Sequence, residues 1–223
     1  MTTKNFPTAF DLISSIAFLF LEVLLVHKIW NALANYNQLG IEVLTFLLII
    51  PLGFIVSDLI SGLVHYLADN FGNSDTPIFG STFIEPFRSH HDDPGDILKH
   101  NFFVTNGNTF FIVAIGLVPG IFLFPTSSLV WIDLNIFWLI LSILTAFTNQ
   151  FHKWAHHPSP HKLVKLLQKS GLIISPKNHN IHHQATTDKY YCITCGWLNA
   201  ILHKTQFFQR ILPIEKEENA EST

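Results

Sequence analysis

Composition, run length and histidine spacing together point to an all-α integral membrane protein with about four transmembrane helices and a histidine-rich site at one face of the bilayer. The 223 residues include only 13% Asp, Glu, Lys and Arg but 21 phenylalanines, and the mean hydropathy is +0.33, a balance foreign to soluble domains. The apolar residues fall into four runs parted by polar stretches. The 13 histidines include clusters at helical spacing. Asn178-His179-Asn180-Ile181-His182-His183 sets imidazoles at i, i+3 and i+4, and His152 and His156 repeat the i, i+4 pair. Ser89-His90-His91 adds a third cluster. On a helix such spacings aim the rings into one sector. A net charge of −3 speaks against a polyanion binder, and no nucleic-acid partner is expected.

Residues 1–8 read as a short polar tail, because the apolar run behind them is too long for a cleavable leader. The first span covers about 9–30, with Asp11 near its entry and Glu22 at mid-depth. A carboxylate there is either functional, or protonated or bonded to a neighbouring helix. The second span, about 41–66, exceeds the roughly 20 residues needed to cross the hydrocarbon core, so its end emerges or tilts. Asp58, Ser61, Gly62 and His65 form a polar stripe on that end at i, i+3, i+4 and i+7. One reading is helix packing through small residues with Asp58 satisfied by a partner. The other makes His65 a ligand with Asp58 behind it, and the cost of an unpaired carboxylate there favours it.

The polar stretch 67–108 follows. Asp92-Asp93-Pro94-Gly95 is a turn signal that closes a short helix holding His90 and His91. Asp96 offers a cap to the segment with His100, and Thr105-Asn106-Gly107-Asn108 is expected to break the chain before the next span. Spans three and four, about 109–124 and 129–151, are joined by Pro125-Thr126-Ser127-Ser128 into an antiparallel hairpin. Gly116 and Gly120 mark close helix packing, and the fourth span runs directly into His152 and His156. Beyond His157, Lys162, Lys165, Lys169, Lys177, Lys189, Lys204 and Arg210 interleave with Leu163, Leu166, Leu167, Trp197 and Ile201, the pattern of helices lying in the interface plane. Cys192 and Cys195 form a lone C-x-x-C and read as packing residues. One membrane domain is expected over 9–212, with an acidic, disordered tail over 213–223.

The Lys/Arg bias places the basic tail in the cytosol. Four spans then bring the N-terminus, the 67–108 loop and the tail to that side. His65, His90, His91, His100, His152, His156, His179, His182 and His183 all meet there, nine of the 13 histidines. A closed structural zinc site takes four ligands, usually with thiolates. Nine imidazoles instead suit two metal ions with a position left open for dioxygen. The Glu-x-x-His repeats of soluble di-iron bundles are missing, as are G-x-S-x-G and G-x-G-x-x-G. In a membrane such a site suits oxygen activation at two irons and removal of hydrogen from an unactivated C–H bond of a lipid. A non-enzymatic metal-binding membrane protein is the rival from another class, and a membrane scaffold whose histidines only pack is a third reading.

The ordered motifs also carry a resemblance. They are His65-Tyr66-Leu67-Ala68-Asp69; Pro86-Phe87-Arg88-Ser89-His90-His91; His100 with Thr105-Asn106-Gly107-Asn108; Thr148-Asn149-Gln150-Phe151-His152-Lys153-Trp154-Ala155-His156; His179 with His182-His183; and Tyr191-Cys192-Ile193-Thr194 with Gly196-Trp197-Leu198-Asn199. Over about 59–212 the chain resembles the plasmanylethanolamine desaturase family, which is similar to the fatty-acyl desaturases in using a histidine-bound di-iron centre. Animal and bacterial members introduce the vinyl-ether bond of plasmalogens, and a plant branch desaturates palmitate on chloroplast phosphatidylglycerol. The resemblance implies that all nine histidines bind two iron ions, with O2 as co-substrate. Asp58, Asp69 and Asn106 are expected behind them, while His27, His157, His161 and His203 fall outside the motifs. The implied partners are a membrane phospholipid and an external electron donor of cytochrome b5 or ferredoxin type. The implied location is the endoplasmic reticulum of a eukaryote or the inner membrane of a bacterium, with the C-terminus and metal site cytosolic. The alternative in the same chemistry is an acyl-chain desaturase or hydroxylase acting on another membrane lipid.

Overall fold

Four long helices set the frame, and two of them end where the histidines lie. The computed structural model describes residues 6–35, 39–184 and 189–213. The expected tails over 1–8 and 213–223 therefore fall largely outside the described residues. In chain order the elements are α1 (Ala9–Ala34), α2 (Leu39–Asn70), a π-helical turn (Gly80–Ile84), α3 (Glu85–Asp92), a 3-10 turn (Asp96–Lys99), α4 (Phe102–Phe122), α5 (Leu129–Ala146), α6 (Thr148–His156), α7 (Lys162–Lys169), α8 (Pro176–His182), α9 (Asn199–Lys204) and α10 (Phe207–Ile211). Ala9–Ala34, Leu47–Asn70, Phe102–Phe122 and Leu129–His156 are long and apolar enough to cross a membrane.

The main packing pairs α1 with α4, α2 with α5, and α4 with α5. Phe18 stacks on Phe110 with ring centroids 4.7 Å apart, and Leu25, Leu117, Ile132 and Ile136 complete the core between these helices. Ile13, Ile16, Leu19, Phe20 and Val23 point outward on α1, toward lipid. Lipid tails are as apolar as leucine, so close fit and polar ties hold such helices together more than burial does. Several ties are visible. Ser142 donates to Glu22 Oε1 at 2.6 Å and ties α1 to α5. Lys28 Nζ reaches the carbonyls of Gly120 at 2.8 Å and Ile121 at 3.0 Å, and also that of Phe124, serving carbonyls that the end of α4 leaves unpaired. The Trp138 indole donates to Gly116 O at 2.9 Å. A Cβ on Gly120 would stand 2.5 Å from the same ring, so the close-packing expectation holds at Gly120.

Contacts also fix the directions. Asp11 lies against Gly107 and Lys28 against Gly120, so α1 and α4 run parallel. Gly53 lies against Ile140, and the Ser57 and Thr145 hydroxyls are 3.2 Å apart, so α2 and α5 also run parallel. Trp138 on Gly116 and Asn149 on Thr105 set α4 antiparallel to the α5–α6 rod. The C-terminal ends of α2 and α6 thus share one end of the bundle with the N-terminal ends of α1 and α4.

Several expected boundaries move. Helix α4 begins at Phe102 rather than 109, and Thr105-Asn106-Gly107-Asn108 lies inside it. Asn101 caps the helix by accepting from Val104 N at 3.0 Å. The polar side chains behind it are served by carbonyls, Thr105 by Asn101 O and Asn106 by Phe102 O at 2.9 and 2.8 Å, and Asn108 by Thr82 O at 3.0 Å. Polar residues whose donors find partners do not end a helix. The fourth span breaks at Phe147 before α6 resumes, and α2 continues to Asn70.

Candidate metal centre

Eight of the nine singled-out histidines come together, in two adjoining groups. The first is His90 of α3, His152 and His156 of α6, and His179 and His183 at the end of α8. The second is His65 and Asp69 of α2, His91 of α3, and His182 of α8. Within each group one potential ligand atom per residue lies within 4.8 Å of all the others. Neighbouring residues 90 and 91 serve different groups, as do 182 and 183.

The local folding follows from the sequence. On α2, His65 and Asp69 are one turn apart and share a face. Helix α3 starts with Pro86 in its first turn and ends where Asp93 Oδ1 accepts from Gly95 N at 3.2 Å, as the turn signal predicts. Ser175 caps α8 by accepting from Asn178 N at 3.2 Å. Arg88 binds α3 to the end of α2, donating from Nε to Ala68 O and from Nη2 to Phe71 O, both at 3.1 Å.

The nitrogens themselves show what the groups suit. His156 Nε2 lies 2.9 Å from His90 Nε2, 3.2 Å from His152 Nε2 and 2.8 Å from His179 Nε2, and His183 Nε2 lies 2.9 Å from His179 Nε2. One ring nitrogen carries a single proton or a single lone pair, so it cannot serve three imidazole partners by hydrogen bonding. Ligands about 2.1 Å from a shared ion at right angles sit about 3 Å apart. In the second group His65 Nδ1 lies 3.0 Å from Tyr191 O and His182 Nδ1 2.8 Å from Lys189 O. A carbonyl only accepts, so both Nδ1 atoms carry the proton and both Nε2 atoms present bare lone pairs in the neutral rings. Those two Nε2 atoms are buried without a hydrogen-bond partner and each lies 3.4 Å from Asp69 Oδ2; His91 Nε2 lies 3.2 Å from the same oxygen. Lone pairs facing a carboxylate in a buried pocket are reconciled by a cation, and this donor set fits one.

Burial and the neighbouring rings hold His90, His179 and His183 well below the ordinary imidazole range, His183 at about 3. They are therefore neutral at physiological pH, the state a metal requires. Imidazole and carboxylate are the ligand types that iron and its neighbours in the first transition row accept.

The supporting residues divide. Asp69, expected behind the ligands, has its carboxylate inside the second group. Asp58 does not reach the rings. Its Oδ1 accepts from Cys195 N at 2.9 Å and Gly196 N at 2.8 Å, and its Oδ2 from Leu198 N at 3.0 Å, so it clamps the 191–198 segment whose Tyr191 carbonyl orients His65. Asn199 closes the same segment, exchanging hydrogen bonds with Cys192 at 2.8 and 2.9 Å. Asn106 is fully buried and donates to Gln150 Oε1 at 3.2 Å, beside the α6 ligands. His100 belongs to neither group. It follows the Asp96–Lys99 turn, its ring lies 3.5 Å from Asp96, and Lys153 holds its backbone carbonyl. Cys192 and Cys195 are free and buried, and burial next to Asp58 pushes both thiols far above their ordinary range, which leaves them inert packing groups. Arg88, Tyr191 and Asn199 lie inside the quoted motifs and Lys189 outside them, but no spacing showed what any of the four does, because each acts through a backbone carbonyl or N–H.

Comparison with known proteins agrees with this site. A family model described as a lipid desaturase domain matches residues 54–216. A plasmanylethanolamine desaturase of Myxococcus xanthus is 38% identical over 200 residues, covering 90% of this chain and 69% of that protein. Plasmanylethanolamine desaturase 1 of Mus musculus is 40% identical over 164 residues, 71% of this chain and 60% of the mouse protein. Fatty acid desaturase 4, chloroplastic, of Arabidopsis thaliana is 32% identical over 161 residues, 71% of this chain and 48% of the plant protein. No solved structure matches significantly. The matched region begins on α2 and holds every residue of both ligand groups, and by that match the chain belongs to the lipid desaturase family.

Proposed function

We propose that this protein is a di-iron oxidoreductase that converts the 1-O-alkyl chain of an ether phospholipid into the 1-O-alkenyl chain of a plasmalogen. The observation that carries the reading is the pair of buried imidazole groups, with bare Nε2 lone pairs, at the ends of membrane helices. The bacterial and mouse relatives, both named for plasmanylethanolamine, favour an ether lipid over the acyl chain named for the plant relative.

In the balanced reaction two hydrogens leave adjacent carbons of the chain and a C=C bond forms. O2 is reduced to two waters, taking two electrons and two protons from the lipid and two of each from an external donor. His90, His152, His156, His179 and His183 would hold one iron and His65, Asp69, His91 and His182 the other, and iron bound there would supply the oxidising power for C–H cleavage. The protein's own residues do the rest. Tyr191 and Lys189 fix two rings through their carbonyls, Asp58 fixes the segment that carries Tyr191, and burial keeps the rings neutral and bulk water out. The ligands lie near helix ends, hence near headgroup depth, where C1 and C2 of an ether chain also lie. The electron donor is a separate protein of cytochrome b5 or ferredoxin type, and the ligand groups face the cytosol with the basic C-terminal helices.

The test is expression in a host that contains alkyl but no alkenyl ether lipid. Acid treatment of the extracted lipid should release long-chain aldehyde, and the release should vanish in His182→Ala. New double bonds that survive mild acid, without aldehyde, would assign an acyl-chain desaturase instead.

A further inference from the structure

Phenylalanines recur at 79, 83 and 87 from just before the π-helical turn into α3, and the last of them reaches the second ligand group. Phe87 stands edge-on to His65 with ring centroids 5.1 Å apart, and Phe83, one turn earlier, lies 5.0 Å from Phe87. Phe79 is a further turn back and 55% exposed; its carbonyl accepts from both Phe83 N and Ile84 N at 2.9 Å. Phe83 and Phe87 are themselves only partly covered, whereas His65 is fully buried. The row is therefore open at its outer end and closed at the ligand.

Two further observations mark it as built for a task. Ile78, at its outer end, is 84% exposed yet held at φ +68°. A β-branched residue in that region is strained, and strain without a packing return gathers at functional segments. The π-helical geometry of Gly80–Ile84 is itself rare and concentrated at such sites. The location is right as well. Asn108 of α4 donates to Thr82 O at 3.0 Å, which holds the row beside the first turns of a membrane span. Helix α2 packs mainly on α5 and α4 mainly on α1, and the row is tied to both, to the end of α2 through Arg88 on Ala68 O and Phe71 O and to the start of α4 through Asn108.

We propose that Phe79, Phe83 and Phe87 form the wall along which the hydrocarbon chain of the lipid lies on its way from the bilayer to the second ligand group, and that Phe87 sets which carbons stop there. The inference rests on the lipid-desaturase reading above. An alkyl chain has no polar handle, so rings and shape are the means of positioning it.

Holoenzyme in lipid nanodiscs is offered a phospholipid with a photoactivatable diazirine in its chain, and the labelled peptides are mapped by mass spectrometry. Label on residues 79–87 is expected with or without turnover; label confined to the α1–α4 surface or to α7–α10 overturns the proposal. Since this readout needs no catalysis, loss of the vinyl-ether activity does not decide it. Then Phe87→Ala and Phe83→Ala are compared across a chain-length series with iron content measured in parallel. Phe83→Ala, whose ring stands away from the ligands, should retain iron, raise KM for the preferred chain about tenfold and move the preference to longer chains while kcat for those chains is kept. Retained iron with an unchanged chain preference in Phe83→Ala overturns the proposal even where Phe87→Ala fails to load metal.

Discussion

At the scale of single residues the histidines were legible and the roles of the two carboxylates were not. Repeats at i, i+3 and i+4 announce shared faces, and eight of the nine rings meet. His100 shows the limit, since its motif lies on a turn whose course is set by Asp96 and by Lys153, a tie no local spacing encodes. Asp69 shows the converse. Its i+4 relation to His65 is visible, but only the fold brings His91 and His182 to the same oxygen. Asp69→Asn keeps the shape and removes the anion, and it turns one side of the carboxylate into an N–H2 donor that cannot bind metal. The expected result is loss of about one of two irons per chain and a fall in activity of at least about 100-fold, in line with what removal of a group acting directly at a centre costs. Elemental analysis beside a lipid assay reads both, and full iron content with full activity would remove Asp69 from the ligand set.

At the scale of elements the four spans were readable from hydropathy because membrane helices need long apolar runs, while their ends were not, because polar residues decide those. Thr105-Asn106-Gly107-Asn108 looks like a break and is helix, since Gly107 admits Asp11 against its backbone and each neighbouring side chain has a backbone acceptor. The stripe on α2 is a second case. Its spacing showed a face, yet what docks there is an extended segment more than 130 residues further on, with Ser61 accepting from Ile193 N and Asp58 from three backbone N–H groups. Gly62 lets Cys192 sit directly on the helix, a Cβ there falling 2.5 Å from Sγ. Asp58→Asn leaves one acceptor oxygen for three donors and turns an N–H2 toward one of them. Hydrogen bonds to a buried charge contribute more than neutral ones, so a loss of about 2–4 kcal/mol is expected, read as a lower unfolding midpoint in nanodiscs. Iron content should fall with it, because the Tyr191 carbonyl that orients His65 rides on the same segment. An unchanged midpoint would show that the clamp contributes nothing.

At the scale of the whole molecule the site is a junction of α2, α3, α6 and α8, while α1 and α4 supply the frame and, among the described residues, no ligand. Metal held across such a junction stabilises only the state in which all four elements are docked. Protons compete with it, and the direction follows from the ring environments. Free imidazole titrates near about 6.5, whereas in the folded protein His90, His179 and His183 are held far lower by burial first and neighbouring rings second. Below about pH 6.5 the unfolded chain binds protons that the folded chain refuses, so stability is whole above that pH and declines as pH falls toward the folded value, about 3 for His183. Each ring kept neutral contributes a slope of up to about 1.4 kcal/mol per pH unit across that window. Thermal midpoints taken from pH 7.5 down to 5 should be level at first and then drop, with iron release tracking the drop. Hydrogen exchange should show α3 and α8 losing protection while the α1–α4 pair keeps it. Chelation at pH 7.5 should reproduce the local loosening without the proton-driven part, because the neutral rings remain neutral. A midpoint that stays flat to pH 5 would mean that the rings take up protons as readily in the folded protein as in the unfolded chain, and would overturn the neutral ligand set.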